Sequence, residues 1–241
     1  SGELNVESIR KVKVEDLLGR DPVKLDRALV EGLLAGKRVM ITGAGGSIGA
    51  EISRQVASFS PEKIIMVDFA ESALFETDFE LQEQFPEIES VANIVNVRNQ
   101  NDLEKTFSEN NPHCVFHAAA YKHVSLMEQH PSNAVCTNVL GTRNVVEAAV
   151  AHKVEKFVLI STDKAVKPSN VMGATKRLCE LVVARQSSEH TQFGSVRFGN
   201  VLGSNGSVIP IFEKQISKGG PVRVTDPEMT RYFMTIPEAV E

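Results

Sequence analysis

The sequence has no excess of basic charge, no cysteine framework and no long apolar run, and each lack removes a class of function. Lys and Arg number 26 against 31 Asp and Glu, a net charge of −5, so nothing points to nucleic acid as a partner. The three cysteines, Cys114, Cys136 and Cys179, are an odd number without metal-ligand spacing. No metal is expected, and a reduced, cytoplasmic setting is the reading. No stretch approaches the roughly 18 to 20 apolar residues of a membrane span, and no secretory signal is visible. Internal repeats and low-complexity tracts are missing as well. What is present is 241 residues, 42% hydrophobic and 24% charged, an ordinary globular composition able to bury the core of one large domain or one and a half.

The organising stretch is Val39 to Glu51, VMITGAGGSIGAE. Val39-Met40-Ile41 is a short apolar run of the buried-strand kind. Gly43, Gly46 and Gly49 follow at the spacing G-x-x-G-x-x-G, and a helix opens near Ser47 and runs through Ile48. A tight strand-to-helix turn favours a residue that tolerates positive φ. A diphosphate must approach bare backbone N–H groups at a helix N-terminus, and the last glycine lets the helix lie close to the sheet. Three glycines alone are a weak signal; between a strand pattern and a helix pattern they predict a dinucleotide site.

Further strands are predicted at 63–68, 91–97, 113–118, 156–161 and 193–198, alternating with helices at 69–84, 102–109, 132–152 and 172–186. Helices are also expected at 25–34, at 208–217 and from Pro237, with 221–225 extended. Strands alternating with helices predict an α/β fold, a Rossmann-type doubly wound parallel sheet. Residues 1–36 read as a linker and helix, 37–199 as the dinucleotide-binding domain and 200–241 as the start of a substrate-binding region. In such sheets ligands sit at the carboxyl ends of the strands, where Gly43, Asp68, Ala118, Thr162 and Asn200 fall together.

Asp68 lies 19 positions after Gly49. There a carboxylate can accept from the adenosine ribose hydroxyls and repel a 2′-phosphate, or cap the next helix; with no basic residue at 69–71, NAD is expected over NADP. The small residues Ala118, Ala119 and Ala120 leave room for a ribose or flat ring, and serve helix–sheet packing equally well. Thr162-Asp163-Lys164 sets a hydroxyl, a carboxylate and an amine side by side, with Lys176 four residues past Met172 on one helix face. These groups suit hydride transfer coupled to proton movement; composition alone would read them as a solvated turn and an exposed helix face. Lys122 and His123 could hold a substrate phosphate or sugar, or be ordinary surface. Arg231 is a candidate phosphate clamp, and His117 reads as a satisfied core histidine.

TGAGGSIG, HAAAYKHV, NVLGT, STDKAVKPSNVMGATKR, RFGNVLGSNGSVIP and MTRYFMTIPEA together resemble the extended short-chain dehydrogenase/reductase superfamily, and more closely its nucleotide-sugar 4,6-dehydratases of bacterial polysaccharide biosynthesis. The resemblance covers nearly all of residues 10 to 241. It implies a cofactor site of Gly43, Gly46, Ser47, Ile48, Gly49, Asp68, Asn96, Val97, Ala118, Ala119, Ala120 and Lys176. It implies NAD(P)-dependent conversion of UDP-N-acetylglucosamine to a UDP-4-keto-6-deoxy sugar. Thr162 would bond the hydroxyl at carbon 4, Asp163 would be the acid at carbon 6 and Lys164 the base at carbon 5. Lys122, His123, Asn200, Ser207 and Arg231 would meet the substrate.

Two departures stand out. The superfamily's Tyr-x-x-x-Lys is here Met172-Gly-Ala-Thr-Lys176. A thioether has no proton to exchange, which shifts the burden to Asp163 and its neighbours; burial beside Lys176 is expected to prepare Lys164 as a base. Asn96 stands where the family usually has an aspartate facing the adenine. The resembled subfamily is membrane-anchored, so the natural protein is expected to sit on the cytoplasmic side of the membrane through a segment not in this sequence. A homo-oligomer is also expected. A 4-epimerase and a non-catalytic cofactor-binding regulator are the rival readings.

Overall fold

Val39, Met40 and Ile41 are fully buried, and so are Ile64 to Val67. A strand hides every side chain only where both faces of its sheet are covered. The computed structural model describes residues 27–204, 208–224, 226–228 and 230–241. It begins α1 (Arg27–Leu34), β1 (Arg38–Thr42), α2 (Ser47–Ala57), β2 (Lys63–Asp68), α3 (Glu71–Gln84), β3 (Glu89–Ile94), α4 (Gln100–Asn110) and β4 (Cys114–His117). Then come α5 (Val124–Gln129) and α6 (Pro131–Ala134), which passes through a π turn (Val135–Leu140) into α7 (Gly141–Ala151). β5 (Lys156–Thr162), a 3₁₀ turn (Asp163–Ala165), α8 (Val171–Ala184) and β6 (Gln192–Phe198) follow. The chain closes with β7 (Asn200–Val201), α9 (Val208–Ser217), β8 (Phe233–Met234) and α10 (Ile236–Val240).

β1 to β6 form one parallel sheet in the order β3-β2-β1-β4-β5-β6. Alternate side chains feed two cores, since successive residues of a strand point to opposite faces. Val39, Ile41, Ile64 and Met66 pack with Ile52, Val56, Leu74 and Leu81 of α2 and α3. Met40, Ile65, Val67, Val115, Phe157 and Leu159 pack with Leu103, Phe107, Val145, Cys179 and Val183 of α4, α7 and α8. The strand order reverses between β1 and β4, which opens the crevice where such sheets bind ligands. β7 and β8 form a separate parallel pair.

The doubly wound parallel sheet is the predicted fold, with local differences. β3 ends at Ile94, not at Val97, because Asn96 Oδ1 accepts from Arg98 N at 3.0 Å and turns the chain out of the sheet. Val95 and Val97 stay buried beyond the strand. The single helix expected over 132–152 contains the π turn. Residues 221–224 carry no regular structure, and Thr225 lies outside the described residues. So do Leu25 and all but residues 27–36 of the expected N-terminal segment. Among the described residues no helix is long and apolar enough to cross a membrane.

Candidate active site at the carboxyl ends of the strands

Gly43 adopts φ +74°, and a Cβ there would stand 2.6 Å from Ala119 N. A Cβ on Gly49 would meet Gly43 O at 2.1 Å. Side chains are therefore excluded at both ends of the turn. Gly46 is the N-cap of α2 and supplies no side-chain hydrogen bond; the first-turn N–H groups have no intrahelical acceptor and lie at the positive end of an 11-residue helix. Asp68 reaches this turn: Oδ2 accepts from Gly45 N at 3.0 Å and Oδ1 from Ala70 N at 2.9 Å. It is not the N-cap of α3, a position held by Ala70. Each oxygen retains accepting capacity. Ala118 N donates to Thr42 O at 3.0 Å, which lays the alanine segment along the glycine turn.

Asn96 lines a polar depression of about 530 Å³ with Arg98, Asn99, Gln100 and Asn101. Val97 is pressed against α7, where a Cβ on Gly141 would lie 2.7 Å from Val97 Cγ2. One turn before Gly141, the buried Thr137 hydroxyl has no hydrogen-bond partner. A helix start without a side-chain cap and a cradle that admits only glycine fit a dinucleotide. Among the described residues no group of three or more His, Cys, Asp and Glu could hold a metal.

The end of β5 carries the densest chemistry. Thr162 Oγ1 donates to Asp163 Oδ1 at 3.0 Å, and Lys164 Nζ donates to the same oxygen at 3.0 Å. Lys164 Nζ also donates to Asn200 Oδ1 at 3.0 Å. Partial burial pushes the Asp163 carboxyl up, but the hydrogen bonds from Lys164 and Thr162 and the adjacent ammonium outweigh it and leave the group below its ordinary range. Lys164 is not buried beside Lys176 as expected: its side chain is 30% exposed and ion-paired with Asp163.

Lys176 is the buried amine. It is 6% exposed and donates to Ile160 O at 2.6 Å, and burial lowers its pKa against the opposing pull of Cys179 and Glu180. α8 is set on the β5 end by a close approach, since a Cβ on Gly173 would lie 2.4 Å from Lys164 O. Its first turn is capped by Asn170 Oδ1, which accepts from Gly173 N at 2.8 Å, and by Glu128 Oε1, which accepts from Val171 N at 2.6 Å. Met172 is 4% exposed and packs with Met127 and Ala134, with Tyr121, Val124 and Val171 against them.

Asn138, in the π turn, holds the loop after β4. Its Oδ1 accepts from Tyr121 N at 2.8 Å, and its Nδ2 donates to Tyr121 O at 3.1 Å and to Thr175 Oγ1 at 3.0 Å. Partial desolvation lowers the pKa of Lys122, next in that loop. His123 is exposed at the start of α5. Arg231 is exposed and donates to the neighbouring Thr230 O at 2.7 Å; among the described residues no hydrogen bond or ion pair joins it to the β5 group. Ser207 lies outside the described residues.

Thr162, Asp163, Lys164 and Asn200 thus meet directly, and Lys176 joins them through β5. Sequence reasoning missed Thr137, the clamping role of Asn138, Gly173 and Glu180. Asn138 opens NVLGT and Thr137 immediately precedes it, which was their one visible signal. Fold and glycine turn together define a Rossmann-type domain. The chain belongs to the polysaccharide biosynthesis protein family, whose sequence model matches residues 39–241. It is 55% identical to the capsular polysaccharide biosynthesis protein CapD of Staphylococcus aureus, over 99% of this chain and 40% of the relative. It is 41% identical to a UDP-glucose 4-epimerase of Rickettsia rickettsii, over 85% of this chain and 61% of that protein. The X-ray structure of Pen from Bacillus thuringiensis superposes with a TM-score of 0.78 at 40% identity, covering 86% of this chain and 63% of that one. The chain spans about two fifths of the length of CapD.

Proposed function

We propose that this chain is the cofactor-binding and catalytic part of an NAD-dependent UDP-N-acetylglucosamine 4,6-dehydratase that forms a UDP-4-keto-6-deoxy sugar. The observation that carries the reading is the hydrogen-bonded group Thr162–Asp163–Lys164–Asn200, beside a helix whose Met172 is buried and inert. Oxidation and reduction at one carbon need a single acid/base group; elimination of water needs an acid and a base more. When bound, the nicotinamide supplies hydride acceptance from carbon 4 and hydride return to carbon 6. Gly43, Gly46, Ser47, Ile48, Gly49 and the Ala118–Ala120 segment would hold its dinucleotide, with Asp68 on the ribose, Asn96 and Val97 near the adenine and Lys176 on the nicotinamide ribose.

Thr162 bonds the carbon-4 hydroxyl, Asp163 protonates the departing hydroxyl at carbon 6 and Lys164 takes the proton from carbon 5. At rest this pair is in the wrong state for those roles, because the carboxyl is ionised and the amine is its ion-pair partner. One proton passing from Lys164 Nζ to Asp163 Oδ1, across 3.0 Å, makes the acid and the base together. A substrate that excludes water favours the neutral pair, since desolvation penalises both charges. Asn200, Lys122, His123, Ser207 and Arg231 are assigned to the UDP-sugar.

The second reading, a 4-epimerase, is favoured by the name of the Rickettsia relative. Incubation of the full-length protein with UDP-N-acetylglucosamine and mass spectrometry of the product decides between them. Loss of water is expected; an unchanged mass with an inverted carbon 4 would replace the dehydratase with the epimerase, and unchanged substrate would leave a cofactor-binding regulator.

A further inference from the structure

Three separate elements supply the proposed machinery: β5 brings Thr162 to the site, α8 brings Met172 and Lys176, and the passage from β6 to β7 brings Asn200. One buried carboxylate touches all three elements. Glu180 on α8 is 5% exposed. It accepts from Ser161 Oγ at 2.6 Å, Arg177 NH1 at 2.9 Å, and Arg197 Nε and NH2 at 2.7 and 2.5 Å. Ser161 immediately precedes Thr162, Arg177 follows Lys176, and Arg197 stands three residues before Asn200. Glu180 itself is one helical turn beyond Lys176, on the same stripe of α8.

We propose that Glu180, gripping Arg197, is a positioning residue: it clasps β5, α8 and β6 beneath the site and so keeps Asn200 Oδ1 on Lys164 Nζ. A carboxylate withdrawn from water is tolerated only when its oxygens are engaged, and here four donors engage them. The guanidinium fork fixes angle as well as distance. That matters because β6 is the edge of the sheet, paired to β5; among the described residues the fork makes the side-chain hydrogen bonds that join the end of β6 to α8. Positioning differs from plain stabilisation in that the site loses geometry while the protein stays folded.

The kinetic arm of the test rests on the dehydratase reading; the spectroscopic arm does not. Arg197→Lys keeps the charge and removes the fork, at a side chain 39% exposed where the variant is expected to fold; Glu180→Asp keeps the charge and shortens the reach. Each should lower kcat about tenfold to a hundredfold, the scale of a small misplacement, with KM for the UDP-sugar little changed. Asn200→Ala should lower kcat in the wild-type background and hardly further in Arg197→Lys, although Arg197 and Asn200 make no side-chain bond, because coupled sites are not additive. In the protein without ligands, the Asn200 side-chain amide resonance should shift alike in Arg197→Lys and Lys164→Met. Additive kinetic losses, an unmoved Asn200 resonance, or a lower melting temperature with unchanged kcat would each overturn the clasp. Should wild-type protein give no product, the functional reading fails, and the Asn200 resonance still decides the structural claim.

Discussion

Acid should unfold this protein earlier than its carboxylates alone would allow, because of His117. The imidazole is fully buried. Its Nδ1 lies 2.6 Å from Thr42 Oγ1 and its Nε2 2.9 Å from Thr142 Oγ1, so a neutral ring is satisfied at both nitrogens with one donating and one accepting. Burial first, and the nearby Lys176 charge second, push its pKa from 6.5 to about 3. The unfolded chain therefore binds a proton that the folded chain refuses. The resulting stability is fully present above about pH 6.5 and is lost as pH falls toward 3. Complete loss would amount to about 5 kcal/mol, at about 1.4 kcal/mol per unit, which is comparable to the whole stability of many domains.

Between pH 6 and pH 4 the loss from His117 works out at about 2.5 kcal/mol. Glu180 is held at about 2, chiefly by Arg197 against the opposing effect of burial. It contributes stability that is present above about pH 4.5 and is lost below it, less than about 1 kcal/mol over the same interval. Glu180 is present in both proteins of the comparison, so it cancels. The perturbation is His117→Gln, and the assay is urea unfolding followed by circular dichroism at pH 7.5, 6, 5 and 4. At pH 7.5 the variant should be weaker by about 1 to 3 kcal/mol, since one buried threonine loses its partner. From pH 6 to pH 4 that gap should close by about 2.5 kcal/mol and the two stability curves meet or cross. Parallel curves would show that His117 titrates normally in the folded state and would refute the reasoning.

Asp163→Asn and Lys164→Met should each cut turnover of full-length protein by about a hundredfold or more, the scale of losing a general acid or base, with cofactor affinity by calorimetry nearly unchanged. Met172→Tyr restores a phenol without touching that pair, and deuterium exchange at carbon 5 surviving in Lys164→Met would place the base elsewhere. NAD should bind more tightly than NADP in calorimetry, because Asp68 lies on the glycine turn and residues 69–71 carry no cation; the reverse order would sink the ribose assignment. Gly49→Ala puts a methyl 2.1 Å from Gly43 O, so it should weaken cofactor binding and cost about 1 to 3 kcal/mol of stability by overpacking, read as a lower melting temperature.

What could be read from the chain was what local chemistry determines. KIIMVD announces a strand covered on both faces because every residue from Ile64 to Val67 is apolar, and each is fully buried. The glycine turn was legible because the positive φ at Gly43 and the close approach of Gly43 O to Gly49 lie within the turn itself. Beyond that range the signals fail for a physical reason: a side chain's partner is set by the sheet order, not by its neighbours in sequence. His117 meets Thr42 75 positions away, and Asn138, within a π turn of the helix, holds Tyr121 and Thr175. Position at a strand end singled out both Lys164 and Lys176, but it could not say which amine is buried. The structure gives burial to Lys176 and an ion pair to Lys164. A base that begins ion-paired must be released by its own acid partner, whereas one prepared by burial needs only to wait for substrate. Under the proposed dehydratase reading the two arrangements differ in what would control the elimination: here it would be the Asp163–Lys164 distance, with Asn200 Oδ1 accepting from the same Lys164 Nζ.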